Sequence, residues 1–122
     1  MELRLSNMRK TWILDLDGTL LRHNGYLHGG DALVDGVKEF IDSIYDTGKI
    51  VILTAREEEF REETLAFLKK AGIRYHEILF DLPWGERILI NDKKPSGLET
   101  AIAVNIERDK GIHIDVVIDE EL

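Results

Sequence analysis

The sequence predicts a three-layer α/β domain on a mainly parallel sheet, and three observations predict it. Apolar runs of strand length alternate with segments of helical period, several of those runs end in polar residues, and Gly or Pro punctuates the joins. The chain of 122 residues reads as one domain spanning 1–122, long enough to bury a core against both faces of a small sheet.

Residues 1–10 carry little pattern beyond Leu3 and Leu5 and read as a frayed lead-in. Thr11 to Leu16 is the first strand. Asn24-Gly25, between short, partly apolar arms, signals a hairpin, with His23 and His28 on its surface. From Asp35 the period turns helical: Val37, Phe40, Ile41, Ile44 and Tyr45 form one stripe, closed by Gly48. Lys49 to Thr54 is continuously apolar, as a strand buried on both faces must be. A second helix runs from Glu57, with Phe60, Thr64, Phe67, Leu68 and Ala71 on one face and Gly72 beyond it. Three further strands are expected at His76–Phe80, Arg87–Asn91 and Ala101–Ile106, with Asp81–Gly85 a loop in which Trp84 packs. Ile112 to Ile118 fits an edge strand or a segment crossing the core, and Asp119-Glu120-Glu121 a solvated tail.

Composition narrows the function classes. Sixteen Lys and Arg against 24 Asp and Glu give a net charge of −8, which disfavours non-specific nucleic-acid binding. No apolar run approaches the roughly 20 residues of a membrane helix, and Met1 to Asn7 has no apolar signal core. Without cysteine there is no disulfide, thiolate metal site or cysteine nucleophile. A cytoplasmic protein is the expectation.

The chemistry gathers at strand ends. Residues two apart on a strand point to the same side, so Asp15 and Asp17 reach the carboxyl end of the first strand together, where open parallel sheets keep their ligand crevice. Two carboxylates held that close repel each other, so either a cation sits between them or one holds a proton. The second strand ends at Thr54, and the expected fourth at Asn91 and Asp92. Any one of these could be a helix cap. In this order and together, they point to a shared rim.

The run Asp15-Leu16-Asp17-Gly18-Thr19 resembles, without departure, the DxDGT motif of the haloacid dehalogenase-like (HAD) phosphohydrolases. The resemblance implies a Rossmann-like sheet of order 5-4-1-2-3. It also implies roles: Asp15 as the nucleophile that forms an aspartyl-phosphate, Asp17 as general acid and then base, and Thr54 as a phosphate contact. Mg²⁺ would be held by the carboxylates of Asp15 and Asp92 and the carbonyl of Asp17. HAD enzymes place a Lys or Arg upstream of the last acidic motif, yet no Lys lies between Gly72 and Asp92, and Arg74 and Arg87 begin expected strands, at the wrong end for the rim. Lys94 is the favoured cation, with Arg56 a second phosphate contact and Lys93, Lys69 and Lys70 as further candidates. Gly85 to Gly111 resembles small HAD proteins encoded with polysaccharide and nucleotide-sugar synthesis, which implies a sugar phosphate or similar small phosphorylated substrate.

Asp15 and Thr54 lie 39 positions apart and Thr54 and Asp92 lie 38 apart, intervals filled by one crossover each, so no cap domain fits. Closure is then left to the flap, to the Pro83-Trp84-Gly85 loop or to a second subunit of a homo-oligomer. Two other classes compete with a phosphatase. One is a HAD-fold module that binds a partner protein or phosphorylated ligand without turnover; the other is a response-regulator-like receiver, which would be phosphorylated after its third strand.

Overall fold

The computed structural model describes all 122 residues. Its regular elements are β1 (Glu2–Leu5), β2 (Lys10–Asp15), α1 (Val37–Ile44), β3 (Gly48–Leu53), α2 (Arg61–Lys70), β4 (Glu77–Leu79) and β5 (Asp115–Ile118). The chain is α/β, and both its sheets are parallel: a three-stranded sheet ordered β2-β3-β4 and a two-stranded sheet of β1 and β5. No helix is long and apolar enough to cross a membrane.

Register explains where the core lies. Trp12 pairs with Ile50 and Leu14 with Ile52, so these side chains share one face. They meet Val37, Ile41 and Ile44 of α1 and Leu68 of α2 in a single apolar cluster. In α1 the stripe recurs at i, i+4 and i+7, and in α2 Thr64 and Leu68 lie one turn apart and are fully buried. Glu62 and Glu63 open α2 and Lys69 and Lys70 close it, each suiting the helix dipole. Both helices thus pack against the same face of the sheet, as crossovers of one hand stepping in one direction require. The opposite face therefore stays open, with Ile13 and Leu79 about half exposed, so the structure has two layers where three were expected.

The expected strand order 5-4-1-2-3 is corrected. Its 1-2-3 portion is present as β2-β3-β4, but Arg87–Asn91 and Ala101–Ile106 form no strands, and Ile90 is 90% exposed. A parallel neighbour needs a crossover of a dozen or more residues, and only six, Asp81 to Glu86, separate Phe80 from Arg87. That shortfall leaves β2, expected at the centre, with its second edge free.

Three smaller expectations also change. Residues 2–5 are not frayed, because β1 pairs in register with β5, Glu2 against Asp115 through Leu5 against Ile118. Asn24-Gly25 makes no hairpin; Asn24 takes a left-handed conformation (φ 55°) ahead of a 3-10 turn at Gly25–Leu27. The flap is closed instead by bonds from Arg22 N–H to the Ala32 carbonyl (2.9 Å) and from Val34 N–H to the Leu20 carbonyl (2.9 Å). Gly48 opens β3 rather than simply stopping α1, and its backbone is extended, so the demand is for space: a Cβ there would fall into the Lys10 carbonyl of β2. Gly48→Ala should cost about 2 kcal/mol as an overpacking change, read as a lower urea midpoint at unchanged slope.

Candidate functional site

The carboxyl end of β2 leads into a tight turn that aims its acids. The Leu16 carbonyl accepts from the N–H groups of Thr19, Leu20 and Leu21, and Gly18 N–H returns to the Leu21 carbonyl at 2.6 Å. Gly18 has φ +89°, a conformation that side-chain-bearing residues rarely adopt. Asp15 and Asp17 line one polar cleft of about 240 Å³ together with Thr54, Arg56 and Trp84.

Asp15 is held at both oxygens. Arg87 Nη1 donates to Oδ1 at 2.7 Å and Thr19 Oγ1 donates to Oδ2 at 3.0 Å. Arg87 was expected at the wrong end of a strand. Because its segment forms no strand, nothing pins Arg87 to the amino edge of the sheet, and it reaches the rim.

Asp17 is held by Arg56, from Nε to Oδ2 at 3.0 Å and from Nη2 to Oδ1 at 2.8 Å. The same guanidinium bonds Asp31 through Nη1 and Nη2 (3.0 and 2.7 Å) and Thr64 Oγ1 through Nη1 (2.9 Å), which uses all five of its donors. Arg56 is only 2% exposed, with the Tyr26 ring 4.0 Å from its central carbon. Burial is the largest influence on Arg56 and favours loss of its proton, but the hydrogen bonds to Asp17 and Asp31 outweigh it and raise the pKa above the ordinary arginine value. Arg56 therefore faces inward rather than toward a free phosphate. Thr54, 1% exposed at the end of β3, accepts the Arg56 backbone N–H at 3.0 Å, which leaves its hydroxyl proton free to donate into the cleft.

Asp92 and Lys94 lie elsewhere. Asp92 is exposed and its carbonyl accepts the Thr100 hydroxyl. Lys94 lines a separate, mostly apolar cavity of about 700 Å³, which touches the cleft only through Asp15. No group of three acids or histidines is placed to hold a metal. The residues present do not fit the expected Mg²⁺ set: the Asp15 carboxylate already accepts from Arg87 and Thr19, and Asp92 does not line the cleft.

Sequence reasoning gave no site role to Asp31, Tyr26 or Arg108, which reach the site from distant segments without a local signal; it placed Thr64 on the inner helix face without a site role, and set Arg87 aside for the expected strand although it lies in the interval where a cation was looked for. It also expected Trp84 to pack under its loop, whereas Trp84 is 81% exposed at the cleft.

No family model, curated protein or solved structure matches the chain.

Two outcomes follow from the buried guanidinium. Arg56→Ala strands Asp17 and Asp31 without a counter-charge and should cost about 3–5 kcal/mol in denaturant unfolding. The Tyr26 phenol is raised above its ordinary value of 10, by burial first and by Asp17 next, with Arg56 opposing. The fold thus prefers the neutral phenol, so its contribution is present below pH 10 and lost as pH rises through the raised value. In an ultraviolet absorbance titration, Tyr26→Phe should delete a phenol that ionises above the ordinary range.

Proposed function

We propose that this protein is a HAD-like phosphomonoester phosphatase acting on a small phosphorylated metabolite through an aspartyl-phosphate on Asp15. The observation that carries the reading is the Asp15 carboxylate at the rim of β2, bonded to Arg87 at 2.7 Å and Thr19 at 3.0 Å beside Asp17. A carboxylate is a competent nucleophile toward phosphorus once a cation neutralises the incoming phosphoryl oxygens, and Arg87 is placed to supply that charge. It stands where the sequence pattern demanded a cation upstream of Asp92.

In the proposed cycle, an Asp15 oxygen bonds to phosphorus as the ester P–O bond breaks. The leaving alkoxide takes a proton from Asp17, which must first bind that proton from solvent while still accepting from Arg56, and the Arg87 guanidinium passes from Asp15 to the phosphoryl oxygens. Water then attacks the phosphorus of the acyl phosphate, giving its proton to Asp17, and the P–O bond to Asp15 breaks to release inorganic phosphate. Proton transfer at Asp17 is coupled to Arg56, because both Asp17 oxygens accept its N–H groups. The sugar-phosphate class of substrate rests on the similarity of residues 85–111 to the polysaccharide-linked HAD proteins.

A second reading has its own support. With Asp17 gripped by Arg56 and Asp92 outside the cleft, the site also suits a module that binds a phosphorylated ligand without turnover.

Phosphate release from an aryl phosphate and a panel of sugar phosphates, with and without added Mg²⁺, separates the two. A phosphatase loses all activity in Asp15→Asn and about 100-fold or more of kcat/KM in Arg87→Ala. Background release by both wild type and Asp15→Asn supports the binding module instead. A rate that rises with Mg²⁺ would require Arg87 to yield the Asp15 carboxylate to the ion.

A further inference from the structure

Three guanidinium groups line the polar cleft, and they are not equivalent. Arg56 has spent every donor on Asp17, Asp31 and Thr64. Arg87 is paired to Asp15. Arg108 forms no salt bridge and no side-chain hydrogen bond, although the protein as a whole carries an excess of acids.

The position of Arg108 is fixed all the same. Its stem packs over Gly18, where an added Cβ would lie 3.1 Å from its Cγ. The next residue docks the turn: Asp109 N–H donates to the Gly18 carbonyl at 2.8 Å, and Asp109 Oδ1 accepts the His23 backbone N–H at 2.9 Å. Asp109 takes φ +61° to make both bonds, a left-handed backbone that Asp tolerates better than most residues. His23 also lines the cleft, and its buried Nδ1 has no hydrogen-bond partner in the protein, an unsatisfied polar group of the kind that calls for an explanation such as a bound ion.

We propose that Arg108, with His23 beside it, binds a second anionic group of the substrate, so that the preferred ligand carries a carboxylate or second phosphate in addition to the phosphoryl group held at Arg87. This rests on the phosphatase reading for the identity of the first group. A planar guanidinium suits either anion through two parallel N–H bonds. Arg87 stands beside Asp15, where the first group would bind, while Arg108 rises from another segment and packs over Gly18, which gives each anion its own cation.

The test is binding without chemistry. Methylphosphonate and phosphonoacetate share a phosphonate whose C–P bond this proposed mechanism does not cleave, and only phosphonoacetate adds a carboxylate; methylenediphosphonate supplies a second phosphonate instead. Calorimetry on wild type should show at least tenfold tighter binding of one or both two-anion probes than of methylphosphonate, about 1.4 kcal/mol. Arg108→Ala should erase that preference while leaving the methylphosphonate Kd within about twofold, and Arg108→Lys should restore part of it as a point charge. Arg108 is exposed, so folding of the variants is checked directly by circular dichroism. No preference in wild type, equal weakening of all three probes in Arg108→Ala, or no binding of any probe overturns the proposal. Because none of these readouts needs turnover, failure of the phosphatase reading shows separately, as absent phosphate release with the Arg108-dependent preference intact.

Discussion

A single buried guanidinium organises the rim of this sheet. Arg56 bonds the turn after β2 through Asp17, the flap through Asp31 and α2 through Thr64, while its own backbone N–H donates to Thr54 at the end of β3. Burying a charge is costly unless it is paired and its donors are filled, and here every donor is filled. The Tyr26 ring covers one face of the group and itself meets Phe60 edge-on at 4.9 Å. Four segments thus have one arrangement in which the cation is satisfied, and that arrangement sets Asp17 beside Asp15.

The cleft pairs a fixed half with an adjustable half. Asp17, Arg56, Asp31 and Thr64 form a nearly dry network. Asp15 and Arg87 form a pair whose side chains are each more than a third exposed, so water competes for both and their attraction is weak. An anion entering the cleft would displace Asp15 from Arg87 at low cost, whereas the buried network would resist the same exchange.

Local pattern foretold the β2–α1–β3–α2–β4 unit because each element carries its own period: Val37, Ile41 and Ile44 along a helix, and Ile50 and Ile52 on one face of a strand. It also placed Asp15, Asp17 and Thr54 on one edge, because parallel neighbours end together. Where an outcome depends on a distant partner, the pattern was silent or misleading. Leu3 and Leu5 acquire meaning only against residues 115–118. Ile88, Leu89 and Ile90 have strand composition but lack a crossover long enough to reach a parallel edge. Asp31 and Arg108 reach the site from remote loops, and no residue next to them in the chain announces it; Arg87 lies in the interval where a cation was expected, and only the expected strand hid its reach to the rim.

The pairing of β1 with β5 joins segments 113 positions apart along the chain, with Asp115 N–H also reaching the Met1 carbonyl at 2.8 Å. Closing so large a loop costs entropy that grows only slowly with length, about 0.6 kcal/mol per doubling. Such a ladder is then a late event in folding, zipped after the local β-α-β unit has condensed. Because the two strands run parallel, Leu122 lies beyond the far end of the ladder from Met1, past the point where Asp119 N–H meets the Leu5 carbonyl at 2.7 Å, so tying the two ends together would need a returning connection of a dozen or more residues.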